Sequence, residues 1–130
     1  MCGFAGFVGS NQTLASQKVT LEQMTNSIVH RGPDSSGCWI DSEGLVAIGH
    51  RRLAIQDVSF HGAQPMHSED GRWVLAFNGE IYNHREMRNL LLDQGYQHKW
   101  IGQSDTETLL TAIQILGLDH AVSLCVGMFA

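Results

Sequence analysis

Cys2 directly follows Met1. Its side chain is small enough to permit removal of Met1, and Cys2 would then carry a free α-amine beside its own thiol. An α-amine ordinarily titrates at about 7.7–8.0. Near neutral pH it can take up the thiol proton, which gives a nucleophile with its base built in. Position alone favours a plainer reading, a small residue in a buried strand. Asn78-Gly79 is likewise double. By itself it is a hairpin turn. An Asn side-chain N–H and the following backbone N–H can also converge on one point and form an oxyanion hole. Arg51 and Arg52 end an apolar strand in Gly49-His50-Arg51-Arg52-Leu53. A planar guanidinium there suits bidentate capture of a carboxylate; the alternative is a surface arginine. Asp105 follows Ser104 at a predicted helix start, where the helix dipole favours a carboxylate with or without a ligand ammonium.

Other chemistries lack their residues. None of the seven histidines falls in a metal-ligand spacing such as H-E-x-x-H, so no metal site is predicted. They read as surface, loop or satisfied core side chains. There is no phosphate loop of Walker type and no basic aromatic platform for nucleobases. Three cysteines at wide spacing form neither a C-x-x-C pair nor an even disulfide framework, and Cys38 and Cys125 read as core thiols. A net charge of −5 gives no general attraction to nucleic acid or anionic lipid. The apolar runs are far shorter than a membrane span, and no basic n-region precedes the apolar N-terminus. The expectation is a reduced, cytoplasmic protein. At 130 residues it fits one domain, and 43% apolar against 16% charged residues points to a packed core.

The elements that must position these residues follow from local patterns. Cys2–Val8 is apolar and glycine-spaced, a buried strand. Leu21, Met24 and Ile28 recur at helical spacing and predict a helix over about 14–29, ended by His30-Arg31-Gly32-Pro33-Asp34. Short strands are predicted at 37–40 and 45–50, and a longer one at 72–77 before the Asn78-Gly79 turn. Asn83 with Glu86, and Ser104 with Glu107, have capping-box spacing, and Gly95 and Gly117 stop the two helices that follow. A short helix is expected over 119–125, then a strand beginning at Gly127. Strands and helices mix without strict βαβ alternation, which predicts an α+β fold with helices on antiparallel sheet.

The order of the motifs is far more specific than any one of them. Met1-Cys2-Gly3-Phe4-Ala5-Gly6-Phe7, His30-Arg31-Gly32-Pro33-Asp34-Ser35-Ser36-Gly37, Gly49-His50-Arg51-Arg52-Leu53-Ala54-Ile55, Gly62-Ala63-Gln64-Pro65-Met66, Asn78-Gly79-Glu80-Ile81-Tyr82-Asn83 and Ser104-Asp105-Thr106-Glu107 follow one another. Together they resemble the glutaminase domain of class II glutamine amidotransferases, of the glutamine-hydrolysing asparagine synthetase type. The resemblance implies an N-terminal-nucleophile fold, an αββα sandwich of antiparallel sheets flanked by helices. It implies that Cys2 attacks the side-chain amide of L-glutamine, forms a thioester and releases ammonia. Asn78 and the Gly79 N–H would stabilise the oxyanion, Arg52 would hold the α-carboxylate, and Asp105, helped by Gly79 and Glu80 at the pocket edge, the α-ammonium. No cofactor is implied for this domain; ATP and Mg belong to the synthetase domain that consumes the ammonia.

The resemblance also implies further strands beyond residue 130 and a following synthetase domain. Residues 1–130 are therefore expected to be the N-terminal part of the glutaminase domain, incomplete at its C-terminal end. Unpaired strand edges and an uncovered apolar face would then lower stability or favour a homo-oligomer. Two alternatives stand beside this reading. One is a non-catalytic module that binds glutamine or a partner chain. The other is an amidotransferase of polysaccharide biosynthesis with another acceptor.

Overall fold

The structure is a computed structural model that describes residues 2–55, 57–97 and 99–130. They form two compact units. The first holds the described residues up to Ala54 with Ala63–Pro65 and Ala76–Asn78; the second holds Ile55–Gly62, Met66–Leu75 and Gly79–Ala130. Both mix helix with antiparallel strands, the expected α+β class.

In the first unit β1 (Gly3–Val8) and β2 (Ser35–Ile40) flank β3 (Val46–Arg52), all antiparallel. Gly3 lies opposite Arg51, and both Phe4 and Gly37 lie opposite His50. Helix α1 (Leu14–Ser27) starts at Thr13, whose hydroxyl accepts the Ser16 N–H at 3.3 Å. Its buried stripe is Gln17, Leu21 and Thr25, four residues apart. Two of the three are polar, which is why apolar spacing alone pointed to Met24 and Ile28. Burial is tolerated because Gln17 Nε2 donates to the Gly44 and Gln12 carbonyls and Thr25 Oγ1 donates to the Leu21 carbonyl at 2.7 Å. The helix rests directly on β3 at Gly49, where a Cβ would lie 1.9 Å from Thr25 Oγ1. A 3-10 turn, Val29–Arg31, follows α1.

The second unit is built around α3 (Asp105–Leu116), buried continuously from Asp105 to Ile113. A helix covered all round is a core helix. It packs against α2 (His84–Asp93), α4 (Leu118–Leu124) and β4 (Met66–His67). Ser104 caps it by accepting the Glu107 N–H at 3.2 Å, as its spacing predicts. The Glu107 carboxylate turns elsewhere, to the N–H groups of Ile101 and Gly102. Gly95 and Gly117 follow α2 and α3 with positive φ, and the Gly95 and Tyr96 N–H groups close a Schellman motif on Leu92 and Leu91. β4 pairs with β5 (Val74–Leu75), and β6 (Gly79–Ile81) with β7 (Gly127–Phe129).

Several expectations are corrected. β1 is only half covered: Gly3 is buried while Phe4 and Val8 are exposed. The predicted strand over 72–77 shrinks to Val74–Leu75, because the Phe77 N–H goes to the Gln64 side chain rather than to a neighbouring strand. Asn78-Gly79 is no hairpin turn: Gly79 opens β6 and pairs with Phe129. Asn83 precedes α2 but its side chain does not cap it. Its amide instead donates to the Leu124 carbonyl and accepts the Val126 N–H, both at 2.8 Å. Cys38 is exposed on β2 rather than a core thiol, and Cys125 is half-buried. Among the described residues no helix is long and apolar enough to cross a membrane.

Candidate active site

Strand alternation sorts the two adjacent arginines. Arg51 points to the α1 side, where its Nε donates to the Thr25 carbonyl at 3.1 Å and Nη2 to Asn26 Oδ1. The next side chain in a strand takes the opposite face, and Arg52 is buried there, 9% exposed. One step beyond the Gly3–Arg51 pair, the two strands bring Cys2 beside the end of β3. The Cys2 thiol lies against the Leu53 peptide: Sγ accepts the Leu53 N–H at 3.3 Å and faces its carbonyl at 3.5 Å.

The His30–Gly37 motif locks this corner. The Arg31 guanidinium puts two N–H groups on the Cys2 carbonyl, both at 3.3 Å. Asp34 staples the turn after β3, its N–H on the Arg52 carbonyl and its carboxylate accepting the Ala54 N–H at 2.8 Å. Cys2 and the buried Arg52 thus lie at the same end of the three-stranded sheet; a thiol can serve as a nucleophile and a guanidinium as a carboxylate anchor.

Asn78 belongs to the same unit, in the segment Ala76–Asn78. Its Oδ1 is buried with no hydrogen-bond partner among the described residues. An orphaned buried amide is a mark of function or strain. The preceding residue, Phe77, is gripped by two buried side chains. Gln64 Oε1 accepts its N–H at 2.6 Å, and His50 Nε2 lies 3.1 Å from its carbonyl. His50 is fully buried. Burial lowers its pKa from the ordinary 6.5; the Phe77 hydrogen bond opposes this, and the Arg52 charge adds to the lowering. The Phe77 carbonyl can only accept, so Nε2 carries the proton that faces it.

The second unit carries the remaining residues. Gly79 opens β6 where a Cβ would meet the Met128 carbonyl oxygen at 2.3 Å, so only glycine fits against β7. Glu80 is exposed on the same strand. Asp105 is buried, 6% exposed, at the first turn of α3. Its Oδ2 accepts the Ile81 N–H and its Oδ1 the Thr106 N–H, each at 2.9 Å, which ties the carboxylate to β6. Arg88 braces the approach to α3 through the Gly102 and Ser104 carbonyls and the Thr108 hydroxyl, with its guanidinium over the Trp100 ring.

The structure therefore brings Cys2 and Arg52 together in one unit, and Gly79, Glu80 and Asp105 in the other. Sequence reasoning assigned no role to His50, Gln64, Arg31 or Asp34, although each lies inside a motif it singled out. Only long-range contacts reveal what they hold. Among the described residues no group of three or more His, Cys, Asp or Glu side chains could hold a metal ion.

These elements and residues describe an α+β protein with a thiol and a buried arginine at one sheet end and a buried carboxylate at a helix N-terminus. The family model for the glutamine amidotransferase domain matches residues 1–130, and the chain belongs to that family. The glutamine-hydrolyzing asparagine synthetase 1 of Bacillus subtilis (strain 168) is 44% identical over 133 residues, covering 100% of this chain and 20% of its own length. The glutamine-hydrolyzing asparagine synthetase of Asparagus officinalis is 36% identical over 130 residues, 100% of this chain and 21% of its own. A protein of Gibberella zeae named Amidase chry2 is 34% identical over 139 residues, again 100% and 20%. The chain thus spans about a fifth of the length of these relatives.

Proposed function

We propose that the protein hydrolyses L-glutamine and supplies the ammonia to a synthetase domain that transfers it to aspartate. The observation that carries this reading is the Cys2 thiol, held on the Leu53 peptide beside the buried Arg52. With Met1 removed, the α-amine of Cys2 takes the thiol proton and the sulfur attacks the side-chain carbonyl carbon of glutamine. The tetrahedral oxyanion is stabilised by the Asn78 amide and the Gly79 N–H. Collapse breaks the C–N bond, and the amine passes its proton to the leaving nitrogen as ammonia departs. The glutamyl thioester then takes up water, which releases glutamate and restores the thiol. Arg52 pairs with the substrate α-carboxylate, and Asp105, with Gly79 and Glu80 beside it, receives the α-ammonium. Two anchors of opposite charge select an amino acid over a simple amide. Thiol, amine and water suffice for the hydrolysis, so this domain needs no cofactor; ATP and Mg serve the acceptor reaction. The setting we propose is the cytoplasm.

The names of the similar asparagine synthetases support aspartate as the acceptor. Intact mass spectrometry with 6-diazo-5-oxo-norleucine tests the nucleophile. The expected result is a Met-free chain that gains one adduct, on Cys2, together with ammonia release from glutamine. Labelling of Cys38 or Cys125 in place of Cys2 overturns the reading. Stabilisation by glutamine with no ammonia released from a Met-free chain makes the protein a binding module.

A further inference from the structure

The segment Ala76–Asn78 lies outside every strand. A buried peptide with no ladder must find its hydrogen bonds elsewhere. Phe77 finds both on side chains. Its carbonyl faces Nε2 of His50, which rises from the middle of β3, and its N–H meets Oε1 of Gln64 in the segment Ala63–Pro65. Both clamping side chains are themselves buried, 0% and 9% exposed. His50 lies between Phe4 and Gly37 in the three-stranded sheet. Gly37 leaves the space that the Gln64 backbone fills, for a Cβ there would lie 2.1 Å from the Gln64 carbonyl oxygen.

We infer that His50 and Gln64 are positioning residues for Asn78: by gripping the peptides on both sides of Phe77 they set where the Asn78 amide stands when the oxyanion forms. The inference rests on the proposed role of Asn78. The donor and acceptor assignments follow from chemistry. A carbonyl can only accept, so His50 must present N–H at Nε2. An N–H can only donate, so Gln64 must present its amide oxygen. The two bonds act on opposite ends of one residue and leave it little freedom to rotate. Oxyanion donors are effective only when pre-placed within a few tenths of an ångström. Loss of a donor costs about 100- to 1000-fold in kcat; a donor that is present but loosely aimed should cost less, about 10- to 100-fold.

The test combines kinetics with amide hydrogen exchange on the Met-free protein. In His50→Phe and Gln64→Leu we expect kcat for glutamine hydrolysis to fall about 10- to 100-fold with KM within about threefold. Exchange of the Phe77 and Asn78 amides should accelerate at least tenfold while that of β1–β3 holds. His50→Gln, whose Nε2 can reach the place of the imidazole Nε2, should recover most of kcat. If His50→Phe does not fold, Gln64→Leu carries the test. Unchanged kcat in a folded variant overturns the inference, as does unchanged exchange at Phe77 and Asn78. Parallel loss of kcat, KM and melting temperature without recovery in His50→Gln also overturns it, because His50 would then be a general core residue. If the wild-type protein hydrolyses no glutamine, the proposed function has failed and the kinetic claim falls with it. The exchange arm then decides by itself whether the clamp exists.

Discussion

Replacing each of the two adjacent arginines by methionine should affect glutamine kinetics differently. Met preserves most of the apolar stem and removes the charged fork. On the α1 side, Arg51→Met deletes the bonds to the Thr25 carbonyl and to Asn26 Oδ1. Bonds from a charged donor are worth about 1.5–3 kcal/mol when buried, and a half-exposed pair is discounted to about 1 kcal/mol each, about 2 kcal/mol together. With about 2.1 cal/mol/K of unfolding entropy per residue, the 130-residue chain has about 0.27 kcal/mol/K. The melting temperature should therefore fall by about 7 °C. Glutamine kinetics should be unaffected, since Arg51 faces the helix. Arg52→Met removes the proposed anchor for the α-carboxylate. A desolvated charge pair broken on one side costs at least about 2 kcal/mol, or about 30-fold in kcat/KM. Differential scanning calorimetry and an ammonia-release assay on the two variants read both quantities. Impaired kinetics in Arg51→Met with kinetics intact in Arg52→Met would refute the assignment of faces. Equal effects of both substitutions would show that strand alternation does not separate them.

Three further outcomes are expected. Gly49→Ala forces a Cβ to within 1.9 Å of Thr25 Oγ1 and should destabilise the protein by about 1–3 kcal/mol, measured by urea unfolding; a change under about 0.5 kcal/mol would mean that α1 lifts from β3 freely. Asn83→Ala removes both bonds to the α4–β7 turn and should cost about 1–3 kcal/mol, with faster amide exchange at Val126 as its signature. His50 has a folded pKa lowered from 6.5, first by burial. The unfolded chain therefore takes up this proton first as pH falls. Its contribution to stability is complete above about pH 6.5 and is lost below it, at up to about 1.4 kcal/mol per pH unit. Between pH 7.5 and 5.5, His50→Gln should lose less stability than the wild type in urea titrations, because the carboxylates titrate in both and only His50 differs. An equal loss in both proteins would show that His50 stays neutral in the unfolded chain or charges in the folded one.

Local grammar carried most of the elements. Ser104 caps α3 through the Glu107 N–H, Gly95 and Gly117 end their helices, and a strand opens at Gly127. The cap and the two helix stops depend on bonds spanning only a few residues, so residue types in order suffice. The membership of the chain in the glutamine amidotransferase family was also legible, because six motifs in one order constrain far more than any single residue. What local grammar misread were residues whose partners are distant in sequence. Asn78-Gly79 has the composition of a hairpin turn, yet Gly79 pairs with Phe129, and that pairing outweighs the turn preference. Asn83 has the spacing of a helix cap, yet its amide serves Leu124 and Val126. Gln17 interrupts an apolar stripe and is buried all the same, since its amide meets the Gly44 carbonyl.

The candidate site divides along the same line. Sequence alone determined which side chains have the needed chemistry: a thiol at position 2, a guanidinium at a strand end, an Asn-Gly pair and a carboxylate at a helix start. Tertiary structure alone decided which of two neighbouring arginines is buried, that Arg31 holds the Cys2 carbonyl, that Asp105 is tied to the Ile81 N–H, and that His50 and Gln64 grip Phe77. The reason is physical. A residue type declares what a side chain can donate, accept or attack. Whether it does so depends on which buried backbone group, brought in from elsewhere in the chain, would otherwise be left without a partner.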